Sequence, residues 1–101
     1  MLSLIADVEP FMTARPHWFE VVVAATFRWF ADVAVDVAVV EVGLGGRWDA
    51  TNVVDADVAV VTNVSLDHAN IIGPGLDDIA REKSGIISPA ACLCWARRRR
   101  S

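Results

Sequence analysis

An apolar stripe at helical spacing begins near residue 18. Its members recur at three- and four-residue steps and are Phe19, Val22, Val23, Thr26, Phe30 and Val33. Pro16 suits the approach to a helix, and the stretch from Asp32 to Asp36 suits its exit. The pattern therefore predicts a core helix in which Trp18, Trp29 and Phe30 are packing residues. No comparable signal precedes Pro16.

Two runs of β-branched and small apolar residues follow, at Val37–Val42 and Val58–Thr62. This composition is typical of strands that are buried on both faces of a parallel sheet. Both runs end in polar residues, Glu41 in the first and Asn63 to His68 after the second. We therefore expect an α/β fold in which the two runs are neighbouring parallel strands.

Glu41 is the first candidate functional residue. It lies at the carboxyl end of a strand predicted to be buried, and an unpaired buried carboxylate is very costly. Such a carboxylate should be paired, protonated or bound to a metal, and ligands of open α/β sheets gather at this edge. The alternative is a glutamate that simply reaches solvent at a strand end.

The glycine-rich turn Gly43–Gly46 resembles a dinucleotide fingerprint only superficially. Trp48 occupies the position of the last glycine in G-x-G-x-x-G, and no helical run follows. The chain also contains no phosphate-binding G-x-x-x-x-G-K-[ST] loop. Residues Asp49–Asn52 indicate instead a turn with capping side chains.

A second helix is predicted from Leu76 to Gly85. One face carries Leu76, Ile79, Ala80 and Lys83, and the other carries Asp77, Asp78, Arg81 and Glu82. Lys83 thus shares the apolar face. The alternative is a lysine whose amine extends out to solvent from that face. A lysine retained in the interior would favour its neutral, reactive amine.

Composition and charge limit the class of protein and the kind of partner that the chain can have. The chain has 101 residues and is 54% hydrophobic, which fits one small domain. No apolar run reaches the roughly 18 residues of a membrane span and no signal peptide opens the chain, so we expect a soluble cytoplasmic protein. The net charge is −4, and without Arg97–Arg100 it would be −8. A body this acidic argues against nucleic acid as a partner.

The pattern changes after Ile87. Residues 88–96, followed by four arginines, match no strand or helix template. Cys92 and Cys94 are too closely spaced for a structural zinc pair, and no second Cys/His pair accompanies them. We therefore expect residues 1–88 to belong to one domain and residues 89–101 to form an anomalous tail outside the fold.

Several spaced motifs together resemble the folylpolyglutamate synthase/dihydrofolate synthase family, whose relatives are the Mur peptide ligases. The resemblance covers about residues 17–87. The motifs are Phe19-Glu20, the stretch from Glu41 to Asn52, Thr62-Asn63, Leu66-Asp67-His68, and the stretch from Ile79 to Ile86. It implies a partial parallel, Rossmann-like sheet with flanking helices, from the P-loop-type central domain of a Mur ligase.

The resemblance implies an ATP-dependent, amide-forming ligase. ATP phosphorylates a carboxylate of dihydropteroate or folate, and the amino group of L-glutamate attacks the acyl phosphate. Mg²⁺ would neutralise the phosphates. Carried onto this sequence, Glu41, His68 and Lys83 would be the metal ligands. Lys83, as a carbamate, and His68 would also be catalytic, and the family resemblance implies a monomer.

The resemblance assigns further roles and leaves gaps. Asn63 and Asp67 would orient the metal's ligands at the cofactor site, and Asp49 and Ala50 would form the substrate-binding pterin turn. The family's phosphate loop and carboxyl-terminal domain have no counterpart in this sequence, so we interpret the chain as a ligase fragment that is inactive alone. The alternatives are a non-catalytic remnant or interaction piece, and a fragment of a peptidoglycan Mur ligase.

Overall fold

The computed structural model describes residues 2–12 and 15–95. These residues belong to two compact units, 1–41 and 42–101, which are treated separately. In the first unit, helix α1 spans Leu2–Val8 and a short 3-10 helix spans Glu9–Phe11. Helix α2 follows at Trp18–Asp32, so the helix predicted from the apolar stripe is confirmed.

Local hydrogen bonds fix both ends of α2. The Glu20 carboxylate accepts the backbone N–H of His17 at 2.8 Å, which satisfies a donor that the first helical turn leaves free. At the other end, Ala34 adopts a left-handed conformation with φ 49°. The Val35 N–H then donates to the Phe30 carbonyl, as in the usual Schellman ending of a helix.

The inward face of α2 differs from the predicted one. The buried side chains are those of Val21 and Ala25, whereas Phe19, Trp18 and Trp29 are 44%, 69% and 50% exposed. Helix α1, which the sequence did not predict, packs on α2 beside Ala25. An apolar groove of about 260 Å³ between the two helices is lined by Leu4, Ile5, Val22, Ala25, Thr26 and Trp29.

The predicted strand at Val37–Val42 is wrong for this structure. The segment has no regular secondary structure, and the side chains of Val37 and Val39 are 81% and 95% exposed. A strand needs a hydrogen-bonded neighbour, and the described residues pair no segment with this one. Apolar composition alone does not supply that neighbour.

The second unit contains a parallel strand pair joined by a helical crossover. Strand β1 spans Val58–Val61, helices α3 and α4 span Ala69–Ile72 and Leu76–Ser84, and strand β2 spans Cys92–Trp95. The register pairs Val58 with Cys92 and Val61 with Trp95. The predicted second strand, the predicted second helix and the α/β class with a parallel sheet are thus confirmed.

Strand β2 corrects the interpretation of the carboxyl-terminal segment. Cys92–Trp95 do form a strand, and the Cys92 N–H donates to the Asp57 carbonyl at 2.8 Å. All four residues are exposed, so main-chain hydrogen bonds rather than an apolar pattern hold the strand. Such pairing leaves little trace in sequence. Arg97–Arg100 lie outside the described residues, and the proposed domain limit at residue 88 stays a prediction.

Ile79 is the centre of the small core in the second unit. Its side chain is 0% exposed, and the buried residues Ala59 and Val61 of β1 belong to the same unit. The alternation along β1 buries one face only, because Val58 and Val60 are about half exposed. Within residues 2–12 and 15–95, no helix combines the length and the hydropathy that crossing a membrane requires.

We predict that Ile79→Ala lowers the free energy of unfolding by about 2–5 kcal/mol, the usual cost of emptying a fully buried aliphatic site. Ile71→Ala is the matched control, because Ile71 is 65% exposed and its truncation should cost less than about 0.5 kcal/mol. Urea unfolding followed by far-UV circular dichroism measures both. Equal losses in the two variants would contradict the placement of the core.

Candidate active site

The glycine-rich turn is attached to α4 through Glu82. The Arg47 N–H donates to the Glu82 carbonyl oxygen at 3.0 Å, and the Trp48 N–H donates to the Glu82 carboxylate oxygen Oε1 at 3.1 Å. The Asn52 amide donates to the carbonyl oxygens of Arg47 and Gly85 at 3.0 and 3.2 Å. These four bonds form the turn–helix clamp, which we define as residues 45–52 together with residues 82–85.

Glycine is needed in the clamp because the two backbones lie almost in contact. A Cβ atom on Gly46 would stand 2.7 Å from the Glu82 carbonyl oxygen and 3.2 Å from the Lys83 Cα atom. A Cβ atom on Gly85 would overlap the Arg47 Cβ atom. The approach to the Glu82 carbonyl oxygen and the overlap with Arg47 are both closer than atoms tolerate, so these two glycines allow close packing of the turn on the helix.

Asp49 organises the interior of the turn. Its carboxylate accepts the Leu44 N–H at 2.8 Å and the Thr51 N–H at 3.0 Å, and it also accepts the Thr51 hydroxyl. Partial burial by itself would raise the pKa of Asp49. The hydrogen bonds from Thr51, Leu44 and Gly43 outweigh burial and lower that pKa below its ordinary value. Asp49 is therefore an ionised carboxylate that holds the turn together, next to Ala50 in the following 3-10 helix Ala50–Val53.

His68 is held in an uncommon backbone conformation at the start of α3. Its φ is 53° and its ψ is 30°, the left-handed region that non-glycine residues seldom occupy. The imidazole Nε2 lies 3.6 Å from the Asp67 carboxylate, and both side chains are more than half exposed. A strained residue that retains an exposed functional group is consistent with a role outside packing. Asn63, the other predicted cofactor residue, is exposed.

The predicted metal ligands are distributed over both units. Glu41 is an exposed residue of the first unit, whereas His68 and the half-buried Lys83 belong to the second. Among residues 2–12 and 15–95, no three His, Cys, Asp or Glu side chains lie together as a metal cluster. Of the predicted ligands, Glu41 provides the carboxylate oxygens that Mg²⁺ prefers, and Lys83 would provide oxygen only as a carbamate. The metal roles of these residues stay predictions.

Two residues of the clamp were given no role from the sequence. The sequence pattern places Glu82 on the helix face opposite Lys83 and predicts for Asn52 only a position in a capped turn. Glu82 bonds to Trp48 across 34 positions of the chain, and Asn52 bonds to Gly85 across 33 positions. The spacing of residues within one helix or one turn does not predict such contacts. Asn52 does lie in the motif from Glu41 to Asn52, and Glu82 lies in the motif from Ile79 to Ile86. Membership of these motifs is the only feature of the sequence that indicates a role for them.

Part of the chain is similar in sequence to curated proteins of one kind. No family model matches the chain. The dihydrofolate synthase/folylpolyglutamate synthase of Mycobacterium tuberculosis is 60% identical over 72 residues, which cover 71% of this chain and 15% of that protein. The Escherichia coli enzyme of the same name is 52% identical over 69 residues, covering 68% of this chain and 16% of that protein. The chain thus spans about a sixth of the length of these relatives.

Solved structures agree with the sequence relatives. Escherichia coli FolC in complex with ADP superposes with a TM-score of 0.86 at 40% identity, covering 92% of this chain and 23% of that one. Mycobacterium tuberculosis folylpolyglutamate synthase, complexed with ADP and AMPPCP, gives a TM-score of 0.81 at 42% identity, covering 95% and 25%. The fold is therefore that of the Mur ligase class. Within this class, the matched residues belong to the dihydrofolate synthase/folylpolyglutamate synthase family.

We predict that Gly46→Ala destabilises the second unit by about 1–3 kcal/mol, because the added methyl group collides with backbone atoms that cannot move independently of α4. Gly43→Ala is the matched control. Gly43 is exposed and its φ lies outside the left-handed region, so the change should stay within about 0.5 kcal/mol. Urea unfolding measures both, and an unperturbed Gly46 variant would disprove the close contact.

We predict that Asp49 makes stability depend on pH in the acid range. Its folded-state pKa is lowered, so its ionised form stabilises the folded chain above the unfolded pKa of about 3.9. That contribution is lost as the pH falls through the folded pKa. The stability advantage of wild type over Asp49→Asn should therefore be constant above about pH 5 and shrink as the pH falls below that value and through the folded pKa.

Unfolding curves at several pH values measure this effect. Asp36→Asn makes the same change in net charge at an exposed residue of the other unit and is the control for a general charge effect. An Asp49→Asn variant whose deficit is the same at every pH would contradict the role of the ionised carboxylate.

Proposed function

We propose that the chain is part of an ATP-dependent ligase that adds L-glutamate to a carboxylate of dihydropteroate or folate through an acyl phosphate. The observation that carries this proposal is the 60% identity to the dihydrofolate synthase/folylpolyglutamate synthase of Mycobacterium tuberculosis. Nucleotide use is supported by neighbours solved with ADP or AMPPCP, and folate use by an FPGS–AMPPCP–folate complex. A cytoplasmic location fits this proposal and stays a prediction.

In this proposal Glu41, His68 and Lys83 hold Mg²⁺, with Lys83 present as a carbamate. The ion would neutralise charge on the phosphates during transfer. The exposed imidazole of His68 and its neighbour Asp67 are available to a ligand, and the backbone strain at His68 supports a functional role. Asn63 and Asp67 would orient these groups around the nucleotide.

The turn–helix clamp supports the proposed roles of the turn in substrate binding and of α4 in metal binding. It joins the turn that contains Asp49 and Ala50, proposed to contact the pterin, to the helix that carries Lys83. Fixed spacing between substrate and metal groups is what phosphoryl and acyl transfer require, because most of the rate enhancement comes from positioning and electrostatics. Asp49 would then both stabilise the conformation of the turn and contact the substrate.

One observation favours a second candidate, a non-catalytic interaction piece. Residues 37–40 are apolar and exposed, with Val39 95% exposed, and no strand among residues 2–12 and 15–95 pairs with them. An exposed apolar segment of β-branched residues can pair with a strand of another chain. Activity measurements distinguish the two candidates.

We predict that this chain can replace the aligned stretch of the Mycobacterium tuberculosis relative without abolishing ATP-dependent glutamate addition. In that chimera, Lys83→Ala or His68→Ala should lower kcat by about 10²–10³-fold, the scale expected for losing one electrostatic group. Arg81→Ala, an exposed neighbour on α4, is the control and should leave kcat nearly unchanged. The 101-residue chain alone should form no ADP, because its sequence contains no phosphate loop.

Carbamate formation can be examined in the chain itself, since Lys83 is its only lysine. With ¹³C-labelled bicarbonate, the carbon NMR spectrum should show a carbamate signal that Lys83→Arg removes, because a guanidinium does not form this adduct. The amino terminus is unchanged in the variant and accounts for any remaining signal. Identical spectra would refute the carbamate, and an inactive chimera would refute the ligase assignment.

A further inference from the structure

Two free thiols lie side by side on the open face of the strand pair. Cys92 and Cys94 are both exposed and are separated by one residue in β2. Side chains two apart on a strand point to the same side of the sheet. The register pairs these cysteines with Val58 and Val60, which are 56% and 50% exposed. The intervening Leu93 instead pairs with the buried Ala59, so the thiols share the outer face.

Two common uses of cysteine are excluded for this pair, a disulfide between the two thiols by their spacing and a structural zinc site by the lack of further ligands among residues 2–12 and 15–95. Along a strand, Cβ atoms two residues apart are separated by about 6.6 Å, whereas a disulfide requires a Cβ separation of roughly 3.5–4.5 Å. A structural zinc ion takes four ligands, and the described residues hold no group of three His, Cys, Asp or Glu that could bind a metal. The pair therefore suits a ligand that needs two thiolates at a separation longer than a disulfide.

We propose that Cys92 and Cys94 form a binding site for a soft monovalent cation of the Cu(I) class. Thiolates select Cu(I), and an ion that accepts two ligands on opposite sides needs no third protein group. With metal–sulfur bonds of about 2.3 Å, the two sulfur atoms would be roughly 4.6 Å apart, which the side chains reach by leaning toward each other. The site is independent of the proposed ligase function.

The binding step is a ligand exchange without oxidation or reduction. Each thiol loses its proton and forms one sulfur–copper bond, so one Cu(I) ion binds and two protons are released to the buffer. The product is a two-coordinate dithiolate with one net negative charge. The adjacent apolar side chains of Val58 and Val60 limit the approach of water ligands to one side of the ion.

The test is a competition for Cu(I) between the full 101-residue chain and the chelator bicinchoninate, under anaerobic conditions after removal of reductant. Wild type should withdraw one Cu(I) per chain and remain monomeric, and X-ray absorption should show two sulfur neighbours. Cys92→Ser and Cys94→Ser should each lower the affinity by more than about 100-fold, because loss of a direct ligand exceeds the 10–100-fold cost of losing an outer-shell partner. Leu93→Ser, on the opposite face, is the matched control and should bind as wild type does.

A second variant separates strand geometry from the mere presence of two thiols. Cys94→Ser combined with Trp95→Cys keeps two cysteines but places them on opposite faces of β2. Binding should fall to the level of the single-serine variants, whereas an unstructured segment would still chelate. Tight binding by this double variant, binding of half an ion per chain with dimerisation, or absence of competition by wild type would each overturn the proposal.

Discussion

The second unit depends on the contact between Glu82 and the glycine-rich turn. One residue near the end of α4 engages the turn twice, through its carbonyl oxygen to Arg47 and through its carboxylate to Trp48. A Cβ atom on Gly46 would collide with the Glu82 carbonyl oxygen, and one on Gly85 would collide with Arg47, so both positions of the contact require glycine. The turn and α4 are therefore held in one fixed position relative to each other.

This constraint also relates the proposed substrate and metal groups. Asp49 shapes the turn from inside with bonds to Leu44 and Thr51, and Lys83 follows Glu82 directly on the helix. A shift of α4 would move Lys83 and would break the Glu82 bonds to the turn at the same time. These hydrogen bonds thus fix the position of the turn relative to α4, although the two segments are more than 30 residues apart along the chain.

Outside the clamp, much apolar surface is uncovered. Parallel strands are normally buried on both faces, yet β1 buries only Ala59 and Val61 and exposes Val58 and Val60. The valines at 37 and 39 are still more exposed. A chain that is 54% hydrophobic therefore keeps a small core, and its stability rests on few side chains, Ile79 foremost.

Elements whose signals are local can be predicted from the amino-acid sequence. Helices α2 and α4 and strand β1 follow from periodicity and β-branched composition, and the family follows from motifs spread over residues 17–87. These features need only neighbouring residues to be recognised. The candidate residues Glu41, His68 and Lys83 were likewise found from motif and position, although their metal roles stay predictions.

Strand pairing and the choice of buried faces depend on contacts that form only when the chain folds. Within the part of the chain that the structure describes, the largely apolar residues 37–42 have no strand partner, whereas the exposed residues 92–95 pair with β1. Strand formation depends on main-chain hydrogen bonds to a distant segment. Ala25 is buried beside α1, a helix that no sequence pattern predicted. The role of Glu82 likewise emerged only when the turn was folded against the helix, since a hydrogen bond across 34 residues leaves no periodic signal in sequence.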